Sequence, residues 1–233
     1  MISFVMPTLF KCPEITSCLI TQFERCTHPF EFIILDNSNS GYESSNPNIR
    51  VLSFEENIGV NAAWNLGVKE ARYNYVCLIN DDIVINVQNF IFNISEFIKS
   101  KGDFHLIAPY DTRGSRGFFS TRINLDNEKW WDKNKFMTHK EFGMGCLMLF
   151  PKEVWIEIPE DLKIYYGDDV LWYSVHNIIQ SDKLWWFKGI NMIGDFHLSS
   201  DGKEQSELLN KESDAFQDFV KTGRIKELSQ WQR

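Results

Sequence analysis

A short apolar run that ends in acidic residues most constrains how this chain can fold. Residues 75–79 read Tyr-Val-Cys-Leu-Ile, and Asn80, Asp81 and Asp82 follow directly. A run of this length predicts a buried strand, and ligands bind at the carboxyl ends of the strands in an open α/β sheet. Two adjacent carboxylates repel each other, so we expect a divalent cation to compensate them. The alternative is a solvated turn, because Asn and Asp favour turns.

Length, charge and cysteine usage narrow the class of protein. The chain has 233 residues, a 43% hydrophobic fraction and a net charge of -8. This length suits one large domain or one domain with an appendage, and the negative charge disfavours nucleic acid as a bulk partner. Five cysteines without CxxC spacing predict a reducing compartment and neither a disulfide framework nor a zinc site. With no signal-peptide pattern and no apolar stretch of membrane-spanning length, we expect a cytoplasmic protein.

Strands and helices alternate over the first hundred residues. The predicted strands are residues 2–6, 30–35, 49–54 and 75–79, and the predicted helices are residues 14–26, 61–71 and 87–100. This alternation with short connections predicts an α/β fold with a mostly parallel central sheet flanked by helices. The loops after the strands should then line one crevice at one edge of the sheet.

The second half of the chain is less regular. Residues 111–140 are polar and predict a long loop, of a length that is usually functional or disordered. The later predicted elements are a helix that starts at Pro151, a helix from Val170 to about residue 179, a strand over residues 184–193 and an amphipathic helical stretch from about residue 204. We therefore expect one domain over residues 1–200 and a C-terminal helical extension over residues 201–233.

Five motifs, taken together, resemble those of a GT-A glycosyltransferase. The nucleotide-binding half is represented by Met6-Pro7-Thr8, Leu35-Asp36-Asn37-Ser38 and the segment from Glu56 to Gly67. Asn80-Asp81-Asp82 falls where that family keeps its DxD-type motif, with Asn80 in place of the first Asp. Gly167-Asp168-Asp169 falls where the family has its catalytic-base motif, with Asp168 in place of the more usual Glu. The similarity covers about residues 2–200.

The chain is most similar to the large inverting family of rhamnosyltransferase-like and polysaccharide-type transferases. This resemblance implies a Rossmann-like GT-A sheet and transfer of a hexose or pentose from a nucleotide-diphosphate sugar to an acceptor hydroxyl. Residues 1–100 would bind the nucleotide sugar, and residues 101–200 would serve the acceptor and catalysis. A Mn²⁺ or Mg²⁺ ion would stabilise the diphosphate leaving group. The expected metal ligands are Asp82 and His197; Asp169 is the expected base and Asp168 the second choice.

The residues expected to contact the donor lie in the loops of the predicted crevice and at the start of the helix that follows. They are Pro7, Thr8, Asp36, Asn57, Gly59, Asn61, Asn65, Asn80 and Asp81. Adjacent side chains on an extended backbone point to opposite faces, so Asp82 is assigned to the metal and Asp81 or Asn80 to the ribose or donor sugar. Asp36 is expected to accept a hydrogen bond from the nucleobase. Asn61 and Asn65 are alternatively helix-surface residues only.

Possible acceptor or phosphate contacts lie in the irregular region that follows. They are Arg113, Arg116, Arg122, Trp130, Trp131 and Gly145. Guanidinium groups clamp phosphates or anionic acceptors, and indole rings stack on sugar faces. The alternatives are a solvated loop for the arginines and ordinary packing for the tryptophans.

A saccharide is the expected acceptor, and a hydroxymethylated base in phage-type DNA is the alternative. The arginine cluster alone supports DNA, and the net charge argues against it. A nucleotidyltransferase is a rival of another class, but it would need a Gly-rich basic loop that residues 6–11 do not offer. An inactive carbohydrate-binding relative is a further rival. The presence of Asp82, Asp169 and His197 together argues against it. Independently of these rivals, the alternative for Asp169 is a helix cap only, and that for His197 is an ordinary surface or core histidine.

Overall fold

The computed structural model describes most of the chain, in several ranges. These are residues 1–83, 85–100, 104–109, 124–126, 144–175, 179, 183–188 and 203–222. All structural statements below refer to these residues.

Eight strands and five helices are described. The strands are β1 Ile2–Thr8, β2 Glu31–Asp36, β3 Ile49–Ser53, β4 Tyr75–Ile79, β5 Leu106–Pro109, β6 Asn124–Asp126, β7 Leu147–Pro151 and β8 Leu184–Lys188. The helices are α1 Pro13–Glu24, α2 Val60–Glu70, α3 Val87–Ser100, α4 Gly167–Tyr173 and α5 Lys203–Thr222. The elements of the first hundred residues agree with the predicted ones to within about two residues at each end.

The strands form one sheet in the order β3-β2-β1-β4-β7-β5-β8-β6. β1 is parallel to β2 and β4, and β2 is parallel to β3. β7 is antiparallel to both β4 and β5, β5 is parallel to β8, and β6 is antiparallel to β8. The predicted α/β fold with a mostly parallel sheet is confirmed. The parallel half brings the ends of β1, β2 and β4 to one edge, with Thr8 in register with Asp36.

Apolar layers cover both faces of the sheet. Alternate residues of β1 serve different layers: Phe4 and Met6 join the layer with α1 and α3, while Val5 joins the layer with α2, α4 and α5. Successive side chains of a strand point to opposite faces, so an almost uninterrupted apolar run is what such a doubly covered strand requires.

The helix predicted to start at Pro151 is wrong. Pro151 is instead the last residue of β7, and only a single 3₁₀ turn, Lys152–Val154, follows it. The backbone N–H of Lys152 donates to Asn74 O, and its ammonium group donates to the carbonyls of Lys69 and Ala71 at the end of α2. These long-range bonds fix the chain there in an irregular path.

The predicted C-terminal ends of one helix and one strand fall partly outside the described residues. α4 ends at Tyr173, and residues 176–178 of its expected continuation lie outside the described part of the chain. β8 ends at Lys188, and residues 189–193 of the strand predicted there likewise lie outside it.

The predicted C-terminal helical part is present as α5. Phe216 and Phe219 are each only 5% exposed and belong to the same apolar layer as α2 and α4. The ring of Phe216 stacks on that of Tyr166, with 5.2 Å between centroids. α5 therefore packs on the body of the protein, and the boundary at residue 200 stays a prediction. A helix with the length and apolar character to span a bilayer is not found among the described residues.

Candidate functional site

Hydrogen bonds connect the loop after β1 with the loop after β4 at the carboxyl ends of the parallel strands. The hydroxyl of Thr8 donates to Asp81 Oδ2 at 2.5 Å and accepts the backbone N–H of Phe10 at 2.9 Å. Thr16 of α1 donates its hydroxyl to the backbone carbonyl of Asp81 at 3.1 Å. Burial raises the pKa of Asp81, while the bond from Thr8 opposes that rise. The carboxylate of Asp81 is thus turned towards the β1 loop.

A second contact brings one acidic side chain from the turn after β4 and one from α4 to the short turn before β7. The Asn80 N–H donates to Cys146 O at 3.0 Å, and the Gly145 N–H bonds to the carboxylate of Asp168. Burial raises the pKa of the Cys146 thiol strongly, and the nearby charges of Asp82 and Asp168 raise it further. The turn at residues 144–146 therefore places Asp82 and Asp168 around one point at the sheet edge.

Close packing explains the glycine at position 145. A Cβ added to Gly145 would lie 3.0 Å from Asp168 Oδ2 and 3.1 Å from its carboxyl carbon. This approach lets the Gly145 amide reach the carboxylate. Burial raises the pKa of Asp168, against the effect of hydrogen bonds from the backbone amides of Asp168, Asp169 and Gly145. Asp169 lies beside it in the same first turn of α4.

The carboxylate of Asp36 accepts hydrogen bonds from the loop that directly follows it. One carboxylate oxygen accepts the N–H and hydroxyl of Ser38 at 2.9 and 2.7 Å, and the other accepts the N–H and hydroxyl of Ser40, both at 2.7 Å. An ionised carboxylate offers about four acceptor positions, so this fully buried group has them all in use. Burial raises its pKa, but the four bonds outweigh that effect and the pKa is lowered. A nucleobase would have to share or displace one of these donors.

The turn before α2 depends on Gly59. Its φ is +86°, a backbone conformation that side chains disfavour, and a Cβ there would lie 2.8 Å from Lys163 O. Its N–H donates to Asn57 Oδ1 at 2.9 Å. Asn57 and Gly59 therefore shape a turn that lies directly against the segment leading to α4.

Asn61 and Asn65 join α2 to residues 158–165. The amide of Asn61 donates to Leu162 O at 3.1 Å and Tyr165 O at 2.9 Å. Asn65 exchanges two bonds of 2.8 Å with the backbone of Ile158. The helix-surface alternative is wrong for Asn61, which is fully buried. The predicted donor contact of both residues stays a prediction.

The carboxylate oxygens at this edge of the sheet are suitable ligands for a hard divalent cation. Among the described residues, no three His, Cys, Asp or Glu side chains are grouped so as to hold a metal ion. Mg²⁺ commonly needs only one or two protein carboxylates because substrate phosphates and water complete its shell. Asp82, in the turn directly after β4, offers such a carboxylate.

Several predicted site residues lie outside the described part of the chain. They are His197, Arg113, Arg116, Arg122, Trp130 and Trp131. Their predicted roles stay predictions. Pro7 is the buried penultimate residue of β1, directly before Thr8 at the polar edge.

One residue at the site was missed by the sequence reasoning. Glu212 of α5 is fully buried, and its carboxylate accepts the backbone N–H groups of Lys163, Ile164 and Tyr165. A glutamate in register with Phe216 and Phe219 on the apolar face of an amphipathic helix was a usable signal, because a buried carboxylate requires partners.

The model of the family described as "Glycosyl transferase family 2" matches residues 3–154. No match was found among curated proteins.

Many solved structures are similar to this chain. TarS of S. aureus has a TM-score of 0.55 at 16% identity, covering 82% of this chain and 36% of that one. Glucosyl-3-phosphoglycerate synthase from Mycobacterium tuberculosis, in complex with Mn²⁺, UDP and glucosyl-3-phosphoglycerate, has 0.53 at 15%, covering 80% and 68%. The mannosyltransferase PcManGT from Pyrobaculum calidifontis, in complex with GDP-Man and Mn²⁺, has 0.55 at 14%, covering 96% and 64%. At these identities the likeness shows the fold, and this chain spans only about a third of the TarS chain.

Proposed function

The chain belongs to glycosyl transferase family 2, and from that premise we propose that it moves a sugar from a nucleotide-diphosphate sugar onto an acceptor hydroxyl. One observation carries the proposal: the carboxylates of Asp82, in the turn after β4, and of Asp168, in α4, meet at the turn of residues 144–146, at the edge where the parallel strands end. This is the edge at which open α/β sheets bind ligands. The GT-A fold that the sequence resembles is the fold of the similar structures, which supports the same reading.

The proposed donor is a nucleoside-diphosphate sugar. Structures of the same fold were solved with UDP-GlcNAc, with UDP-glucose and with GDP-mannose. In this chain the donor would lie along the loops after β1, β2 and β4, near Thr8, Asn80 and Asp81. Because Asp36 is saturated by Ser38 and Ser40, we assign it to holding the shape of the base pocket, and a direct bond to the base remains a secondary role.

We assign the divalent cation, Mn²⁺ or Mg²⁺, to Asp82, with His197 as the second ligand. When bound, the cation would neutralise charge on the diphosphate leaving group. Three of the similar structures contain Mn²⁺. Asp81, whose carboxylate accepts the Thr8 hydroxyl, is left to orient the donor.

Asp169 is the proposed base that takes the proton of the acceptor hydroxyl. For an inverting displacement, the base must lie on the face opposite the leaving group. Asp168 is tied to the amide of Gly145, so we assign it to positioning the turn and keep it as the second choice for the base. Burial raises the pKa of Asp168 above its ordinary value, which makes its carboxylate a stronger base.

The proposed acceptor is a saccharide. A duplex DNA acceptor would require a cationic surface, and the net charge of the chain is -8. If DNA were the acceptor, product formation would fall steeply as salt is added; with a saccharide we expect a shallow dependence.

A thermal-shift screen tests the proposal. A ligand that binds only the native state raises the melting temperature. We expect UDP-glucose, UDP-GlcNAc or GDP-mannose to raise Tm by several degrees when Mn²⁺ is present and by less when the metal is chelated. Release of the nucleoside diphosphate on incubation with the stabilising donor would then show turnover. No shift with any of the three donors, with or without Mn²⁺, would contradict the proposal.

A further inference from the structure

The segment that leads into α4 has no regular secondary structure, yet most of its backbone N–H and C=O groups are hydrogen-bonded. Residues 162–166 form only bends and a coil position, and the first turn of α4 with Asp168 and Asp169 follows immediately. Irregular backbone in contact with the protein interior needs partners for its N–H and C=O groups. The position of the acidic pair therefore depends on what bonds to this segment.

Glu212 of α5 accepts hydrogen bonds from the backbone N–H groups of the segment. Its carboxylate accepts Lys163 N at 3.0 Å, Ile164 N at 3.2 and 3.3 Å, and Tyr165 N at 2.7 Å. Three consecutive amides that converge on one fully buried carboxylate form charge-assisted bonds, which are stronger than neutral ones. The side chain of Glu212 thus determines the path of the segment.

Asn61 of α2 donates hydrogen bonds to the backbone carbonyls of the same segment. Its amide donates to the carbonyls of Leu162 and Tyr165, and its own backbone N–H donates to Lys163 O at 3.1 Å. A Cβ on Gly167 would overlap with Asn61 Oδ1, so the first residue of α4 lies directly on this side chain. The segment is therefore held between α2 and α5.

α5 also supports the strained residue at the start of α4. Tyr166 has a φ of +62°, which is unusual for a bulky residue, and its carbonyl accepts the first helical bond from Val170 N. Its ring stacks on Phe216, one helical turn beyond Glu212 on the same face of α5. Strain of this kind persists only where the surroundings determine the conformation, and here the stacking ring and the neighbouring carboxylate come from one helix.

We propose that Glu212 is a positioning residue for the acidic pair, so that α5 contributes to turnover and not only to stability. This inference rests on the proposed function, because it takes Asp169 to act on the acceptor. It adds a role for a helix that lies beyond the residues matched by the family model.

The test compares Glu212→Gln with a control on the same helix, Phe219→Leu. Gln keeps the length of the side chain but replaces one acceptor oxygen with an NH₂ group that faces N–H donors. Phe219 packs against Phe216 and Tyr173, so its truncation weakens the packing of α5 while leaving Glu212 in place. Glu212→Asp, which keeps the charge and both oxygens, provides the conservative rescue.

Hydrogen–deuterium exchange of the full chain tests, without any substrate, whether Glu212 holds the backbone of residues 163–165. We expect Glu212→Gln to speed exchange of peptides that cover residues 163–165 by about tenfold or more, since each lost bond lowers the cost of local opening. Phe219→Leu, compared at a temperature equally far below its own Tm, should leave those amides protected. Equal exchange in the wild type and Glu212→Gln would overturn the proposal.

Steady-state kinetics with the donors named above test the consequence for turnover. We expect Glu212→Gln to lower kcat about tenfold or more with donor KM within about twofold, because misplacing a reacting group costs rate and leaves ground-state binding intact. Glu212→Asp should recover part of kcat, and Phe219→Leu should keep most of it. If Glu212→Gln opened the segment without lowering kcat, or lowered it no more than Phe219→Leu, the positioning role would be wrong. A wild-type protein inactive on every donor would count against the proposed function instead. The exchange experiment would still decide whether Glu212 holds residues 163–165.

Discussion

At the scale of single residues, neighbours of the same type have different surroundings and therefore different expected roles. Asp81 bonds to Thr8 while Asp82 faces the turn at Cys146, and Asp168 bonds to Gly145 while Asp169 follows it in α4. Within each pair the two carboxyl groups have the same chemistry but different neighbours. Substitutions that remove one charge at a time are therefore informative.

Asp169→Asn should leave donor binding intact and collapse turnover. Removing a general base typically costs about 10²–10⁴-fold in rate, and the amide cannot accept the acceptor proton. Donor affinity by calorimetry and kcat by nucleotide release measure the two effects. Asp82→Asn is the matched comparison, for which we expect the Mn²⁺-dependent part of donor binding to be lost. A turnover rate of Asp169→Asn near that of the wild type would remove its assignment as the base.

Asp168→Asn should raise thermal stability at neutral pH. Burial raises the pKa of Asp168 in the folded state, so its ionised form is disfavoured there and the fold loses stability as the pH rises through that pKa. An amide keeps an acceptor for the Gly145 N–H without this cost. Tm of the variant should exceed that of the wild type by a few degrees at pH 8, and the difference should shrink towards pH 4. A variant less stable at pH 8 than at pH 4, each relative to the wild type, would reverse this sign.

At the scale of elements, turns and irregular segments position the site more than the strands do. Gly59→Ala should destabilise the protein because it adds two costs, a disfavoured positive φ and a Cβ 2.8 Å from Lys163 O. We expect a loss of about 2–4 kcal/mol in the free energy of unfolding. Gly41 is the matched control, since it has a similar φ of +74° but nothing within 4 Å of an added Cβ. Gly41→Ala should cost only about 1 kcal/mol, and equal losses in urea unfolding would contradict the contact with Lys163.

The same scale shows what the sequence could predict and why. Local periodicity and turn residues identified every strand and helix of the first hundred residues, because those elements bury continuous apolar faces. The helix expected at Pro151 does not form because Lys152 donates hydrogen bonds to carbonyls of Asn74 and of the end of α2, which are distant in sequence and hold that stretch. The partners of Asn61 and Glu212 lie 47 to 104 residues away, and no local pattern encodes such a pairing. The acidic motifs were recognisable only through their order along the chain.

At the scale of the whole molecule, the two ends of the parallel strands have different duties. The carboxyl ends hold the candidate site, while the opposite edge holds an ion-pair network around the buried Glu31, the first residue of β2. Its carboxylate accepts the Ser3 hydroxyl at 2.7 Å, Arg72 N at 2.8 Å and the guanidinium of Arg50 at 3.0 Å. The network joins β1, β2, β3 and the chain after α2, so it should stabilise the sheet without touching the donor.

Glu31→Gln tests that division of labour through its pH dependence. Burial raises the pKa of Glu31, but the bonds from Arg72, Ser3 and Arg50 outweigh it and the pKa lies below its ordinary value of 4.5. The stability that this group contributes is therefore present above about pH 4.5 and is lost as the pH falls through the lowered folded-state pKa. We expect Glu31→Gln to lose about 2–4 kcal/mol in urea unfolding at pH 7, with the loss shrinking below pH 4, while the donor affinity of the folded variant stays within about twofold of the wild type. A loss independent of pH would mean that Glu31 stabilises the sheet by packing alone, and a large fall in donor affinity would mean that the two edges are coupled.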